Sequence, residues 1–163
     1  MDIPAPPKGQ LGPSFLAALT IGCLGCFYLF GFTYWLNDYP RGGNFWGMLF
    51  AVPIFISCVI AMAMVLASYL DISERAGHVI VFTSIPLFLL SGAAWPLAAM
   101  PHWMQAFAHI LPSTQGINLF IQLNQMGVPT FIVIPKLIYL GSLFAILMIW
   151  AYLRLSKRHK QIE

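Results

Sequence analysis

The sequence predicts an all-α integral membrane protein, one domain over residues 1–163. It has about four transmembrane helices, with two short amphipathic outer helices between the third and fourth. Three observations lead there. The chain is 60% hydrophobic and 8% charged, whereas a soluble domain carries about 25% charged residues, so a bilayer must cover most of this surface. The few charges separate apolar runs of membrane-crossing length. Finally, no formal charge occurs between Arg75 and Lys136. That interval is too long for one crossing, which takes roughly 20 apolar residues.

The expected spans are 14–36, 45–70, 78–94 and 131–153. The loops between them are marked by Asp38 and Arg41 in a tight Pro/Gly connection and by Asp71, Glu74 and Arg75 before Gly77. Period-two alternation is absent, which argues against a membrane β-barrel. Helices satisfy their own backbone groups in lipid, so the bundle is expected to be helical. The basic tail over 154–163 holds Arg154, Lys157, Arg158 and Lys160. Short loops rich in Lys and Arg stay cytoplasmic, which places both termini in the cytoplasm. A short basic tail after an apolar run is not the basic face that nucleic-acid binding needs. The N-terminal segment Met1 to Pro13 is Pro-rich and leads into a full-length apolar run, so a cleavable leader is not expected.

Pro53, Pro86 and Pro135 fall inside spans and read as tolerated curvature, since neighbouring helices repair the lost donor. Small residues recur four apart, at Ala18, Gly22 and Cys26, at Ser57 and Ala61, and at Ala63 and Ala67. That spacing lets helix backbones approach closely.

The outer element, 95–127, carries the expected function. After Pro101, Trp103, Phe107, Ile110 and Leu111 share one helical face, opposed by His102, Gln105 and His109. Pro112 ends that helix. In the next one, Ile117, Phe120 and Ile121 oppose Asn118, Gln122 and Gln125, and Gly127 and Pro129 close it. Such a pair either lies in the interface plane or dips into the bilayer and returns, which is allowed where the turn is buried in protein.

These residues resemble a known family. Ser91-Gly92, Pro96, Met100-Pro101 and a short amphipathic helix ending at Pro112 look like the outer loop before the last helix of type-2 ABC exporter permeases. Tyr39-Pro40-Arg41-Gly42-Gly43 resembles that family's Pro-x-Arg-Gly-Ser outer turn, and Ser73-Glu74-Arg75-Ala76 falls at a short cytoplasmic turn. The resemblance implies a permease subunit, working as two copies and driven by a separate ATP-binding cassette ATPase that uses the ATP. It implies an outer gate at Gly92, Trp95, Pro96, Pro101 and Trp103, and an ATPase-facing turn at Ser73, Glu74 and Arg75. The location implied is the bacterial inner membrane. Family members usually have six spans and a large extracellular domain after the first; this chain resembles the last four spans and is expected to be a truncated or split form.

The chain contains no Gly-x-x-x-x-Gly-Lys-Ser/Thr sequence to cradle ATP phosphates. No carboxylate cluster sits in a span to relay protons. Lys136 lies near the outer end of the last span, where it is expected to snorkel to headgroups. Cys23-Leu24-Gly25-Cys26 leaves a membrane thiol oxidoreductase as an alternative, but a redox pair needs an accessible, stabilised thiolate. A homo-oligomeric, holin-like pore is a further alternative that leaves the Pro-bounded outer helices unexplained. The histidines, with His102 and His109 two turns apart, fit no metal site.

Overall fold

The computed structural model describes residues 11–38, 44–70, 73–94 and 96–162; the side chains of residues 11, 73–76 and 155–162 lie outside that description. All regular structure among the described residues is helical. α1 (Leu11–Phe27) runs through a π-helical stretch, Tyr28–Thr33, into α2 (Tyr34–Leu36). α3 (Phe45–Ala67) and α4 (Ser73–Leu90) follow, then a 3-10 turn, Leu97–Ala99. α5 (His102–Ile110) and α6 (Pro112–Phe120) are followed by a second π-helical stretch, Ile121–Gln125, and by α7 (Thr130–Ile162).

Three helical stretches are long and apolar enough to cross a membrane: Gly12–Leu36, Phe45–Ala67 and Thr130–Arg154, with 25, 23 and 25 residues. The expected third span differs. Helix α4 stops at Leu90 rather than at residue 94, and its apolar part is Gly77–Leu90. That part is about 20 Å long at 1.5 Å per residue, short of the roughly 30 Å hydrocarbon core. Local chemistry ends it. The Ser91 hydroxyl donates back to Phe88 O at 2.6 Å, and Gly92 takes φ +83, a left-handed conformation that glycine adopts without steric cost.

The core forms where α3 meets α1, α6 and α7. Ala51, Val52, Cys58, Leu119, Leu123, Val133 and Leu140 are buried there. α3 and α7 run parallel. At one end the Asn44 Nδ2 donates to Thr130 Oγ1 at 3.1 Å. At the other, Arg154 sits 4.3 Å from the centre of the Tyr69 ring, which packs edge-on against Trp150. Parallel neighbours cannot be joined by a tight turn, so the chain must return between Tyr69 and Thr130; α4, α5 and α6 make that return.

Helix α1 is antiparallel to α3. Gly22 faces Ile56 across their midpoint, and a Cβ at Gly22 would meet that side chain at 2.7 Å. Of the small-residue stripe of α1, Gly22 and Cys26 therefore pack within the chain, as does Ala61; Ala18, Ala63 and Ala67 are exposed. Pro53, Pro86 and Pro135 all lie inside helices. Helix α7 continues past residue 153, so the backbone of the basic tail is helical through Ile162.

Candidate functional site

The segment 96–127 folds into a helical hairpin, and two prolines set its corners. The residue before a proline is pushed out of the α region. Met100, before Pro101, is extended at φ −81, ψ 148. Leu111, before Pro112, is extended at φ −72, ψ 131. Each break is followed at once by a helix. Pro112 occupies the first turn of α6, where its fixed φ suits the helix and its missing N–H costs nothing.

Helix α6 then lies along α3. Gly116 sits against the ring of Phe55 so closely that a Cβ there would overlap it. Leu123 meets Gly47 in the same way. Phe55 lies ten residues into α3, about 15 Å from its start. The hairpin therefore penetrates to near the middle of α3, in the dipping arrangement rather than flat along one end.

Polar side chains tie the hairpin to its neighbours. Thr114 is fully buried, and its Oγ1 donates to Leu90 O at 3.1 Å. It satisfies a carbonyl at the end of α4 that would otherwise lack an intrahelical partner. The Asn118 Nδ2 donates to Thr114 O at 3.0 Å. The Tyr139 hydroxyl donates to Ile110 O at 3.2 Å, holding α7 to the end of α5. Lys136 Nζ donates to Gln122 Oε1 at 2.9 Å. Lys136 therefore turns inward to the hairpin instead of snorkelling to headgroups. Asn44 caps α3 by accepting from Gly47 N at 3.0 Å and also donates to Val128 O at 2.7 Å.

The helical faces read from the sequence exist, but the two helices turn them differently. On α5, Trp103, Phe107 and Ile110 are 65%, 63% and 61% exposed, while Ala108 is buried. On the second helix and its π-helical extension, the nominally polar Gln122 is half-buried against Lys136 and Asn124 is buried. In water the apolar face turns inward. Here the apolar face of α5 turns out to the bilayer, whereas on the second helix Phe120 is buried in the core and Gln122 is partnered inside the protein.

The gate residues named from the sequence occupy the rim of this hairpin. Gly92 is half-buried beneath Leu97, whose Cγ would stand 3.2 Å from an added Cβ. Pro96 and Pro101 are exposed and bound the 3-10 turn, and Trp103 is exposed on the first turn of α5. Trp95 lies outside the described residues, as does the turn Tyr39-Pro40-Arg41-Gly42-Gly43. Ser73, Glu74 and Arg75 form the first turn of α4, far along the chain from the hairpin; their side chains are outside the description.

Cys23 and Cys26 are half-buried on α1 and pack against the buried core. Buried packing is the ordinary role of free cysteine, so the thiol oxidoreductase reading gains no support. Sequence reasoning missed Thr114, Asn44 and the Lys136–Gln122 pair. Asn44 carried a usable signal, an Asn immediately before an apolar run, which is a preferred helix cap. Thr114 carried none, because its partner is 24 residues away.

A family model described as "ABC-2 family transporter protein" matches residues 9–154. No curated protein and no solved structure matches the chain.

Proposed function

Because the chain belongs to the ABC-2 transporter family, we propose that it is the membrane permease subunit of an exporter, driven by a separate ATPase subunit and working as a dimer. In this reading it binds no ATP. The partner subunit hydrolyses ATP, and this chain supplies helices that alternate between two arrangements.

The observation that carries the proposal is the α5–α6 hairpin. It is wedged between α3, the end of α4 and α7 through Gly116, Thr114 and Tyr139. An element held by three separate helices responds when any one of them shifts. The exit gate is its rim: Gly92, Trp95, Pro96, Pro101 and Trp103. The ATPase contact is the turn Ser73, Glu74 and Arg75 at the other end of α4. α4 links the two and reaches the hairpin where Thr114 holds Leu90.

The bare flanks of α4 support a second copy. Phe82, Ile80 and Ile85 are 77%, 66% and 64% exposed, and within the chain α4 packs mainly on α5. An apolar helix that little covered needs lipid or another helix beside it. The orientation that fits is both termini in the cytoplasm of a bacterial inner membrane, with the hairpin on the far side.

The test is export itself. Replacing Trp95 and Pro96 together with alanine is expected to lower export several-fold while the protein still fractionates with membranes. Unchanged export removes the gate. Glu74→Ala with Arg75→Ala is expected to reduce co-purification of the ATPase subunit; full recovery of the pair of subunits removes that contact. Cys23→Ser with Cys26→Ser is expected to leave export as it was.

A further inference from the structure

An open groove of about 510 Å³ lies between the end of α1 and the start of α3. Its walls are aromatic and aliphatic: Phe27 and Phe30 on one side, Phe45 and Met48 on the other. Ligand pockets span about 300–1,000 Å³, so this one has room for a small molecule or one lipid chain. Two polar side chains reach it, Asn44 and Asn124. Asn44 is committed elsewhere, to Gly47 N, Val128 O and Thr130 Oγ1. Asn124 is different. It is 9% exposed, and its Nδ2 makes no hydrogen bond among the described residues. A buried donor left without an acceptor is destabilising, and an apolar site with one such donor is suited to orient a ligand that brings the acceptor.

The backbone is shaped around the same place. Phe30 and Gly31 belong to the first π-helical stretch and Asn124 to the second. π-turns inside helices are rare and concentrate at functional sites. Depth narrows the ligand further. Asn44 caps α3 and Met48 is one turn inside it, about 6 Å from the helix start. In a spanning helix that is the boundary between the polar interface and hydrocarbon, where lipid ester carbonyls sit.

We propose that this groove binds one acyl-ester lipid of the adjoining leaflet, with an acyl chain between Phe30 and Met48 and an ester carbonyl accepting from Asn124 Nδ2. Among the described residues no charged side chain lines the groove, so binding is expected to ignore the headgroup. The site needs only that the chain is embedded in a bilayer and is independent of the export reading.

The test uses the full chain in phosphatidylcholine vesicles holding a trace of phosphatidylcholine with a diazirine on its acyl chain near the ester. After illumination, labelled residues are mapped by peptide mass spectrometry. Label is expected in residues 27–31 and 45–49 at several times the level on Ile138 and Ile146, which are exposed on α7. Gly31→Trp fills the groove, since a Cβ there meets nothing within 4 Å; it is expected to cut groove labelling at least fivefold and leave α7 labelling unchanged. Asn124→Leu is expected to cut it about two- to tenfold, the range of one hydrogen bond, without lowering thermal stability in lipid-free detergent. Vesicles of phosphatidylglycerol, with the matching probe, are expected to give the same pattern. Equal labelling of groove and α7, or groove labelling untouched by Gly31→Trp, overturns the site. Loss with Gly31→Trp but not with Asn124→Leu overturns the role of Asn124.

Discussion

Lys136 on α7 and Gln122 on the π-helical end of the hairpin meet at 2.9 Å, Nζ to Oε1. Lys136 lies six residues into a membrane-length helix, about 9 Å from its start. A lysine inside a membrane costs about 2.5–3.5 kcal/mol at the centre, so it is retained where a partner receives it. A hydrogen bond to a charged group contributes about 1.5–3 kcal/mol when well sheltered, and both residues here are half-buried. Lys136→Met alone is expected to lower detergent stability by about 1–2 kcal/mol. Lys136→Met with Gln122→Leu is expected to recover much of that loss. Thermal unfolding of the four proteins of the cycle measures the coupling, and strictly additive losses would show the two groups to be independent.

Gly116 and Phe55 fix how far the hairpin enters the bundle. No Cβ fits between them without movement of the ring. Gly116→Leu is expected to destabilise by about 1–3 kcal/mol, the usual cost of overpacking. Phe55→Ala in the same protein makes room and is expected to restore part of it. If the leucine variant is as stable as wild type, the hairpin is held less tightly against α3 than the geometry implies.

Much of this architecture was legible in the sequence, for reasons that differ by residue. Pro101 and Pro112 announce the helix breaks because proline constrains itself and the residue before it, whatever the tertiary context. The three long helices follow from apolar length alone. The end of α4 was not legible. Ala93 and Ala94 continue the apolar run, and the helix stops because Gly92 turns left-handed and Thr114, 24 residues on, takes the Leu90 carbonyl. The direction of the α5 and α6 faces was also hidden. Periodicity shows that two faces exist, while packing decides which one turns inward: Trp103 and Phe107 of α5 stay exposed, and Phe120 of α6 is buried in the core. The π-helical stretches escape a search for a 3.6-residue repeat altogether. Of the gate residues, Gly92 acquires a structural reason, its positive φ, whereas Pro96, Pro101 and Trp103 are exposed, with Pro96 O accepting from Ala99 N and Pro101 O from Gln105 N.

Thr114 separates a structural role from a conducting one. Thr114→Val keeps the shape and removes the hydroxyl that serves Leu90 O. An unsatisfied buried carbonyl costs about 1–3 kcal/mol, so the variant is expected to lose stability by roughly that amount. Thr114→Ser retains the donor and is expected to stay closer to wild type. If the link between α4 and the hairpin transmits motion, export falls further in Thr114→Val than its protein level does. Matched declines in level and export would leave Thr114 as a structural tie only.

The parallel run of α3 and α7 makes a prediction that holds in either orientation. Asn44 and Thr130 share one end of the bundle, and Tyr69 and Arg154 share the other. Helix α1 is antiparallel to α3, so Asp38, just past α2, lies at the Asn44 end. Gln125 is exposed at the end of the second π-helical stretch, five residues before α7 begins. With Cys23, Cys26 and Cys58 replaced by alanine, single cysteines at Asp38 and at Gln125 are expected to react with a membrane-impermeant maleimide from the same side. A cysteine at Tyr152, which is exposed toward the other end of α7, is expected to react only from the opposite side. Labelling of Asp38 and Gln125 from opposite sides would mean that the segment between α4 and α7 crosses the bilayer fully. The hairpin could not then enter and leave on one face, and the gate built on it would have no exit to guard.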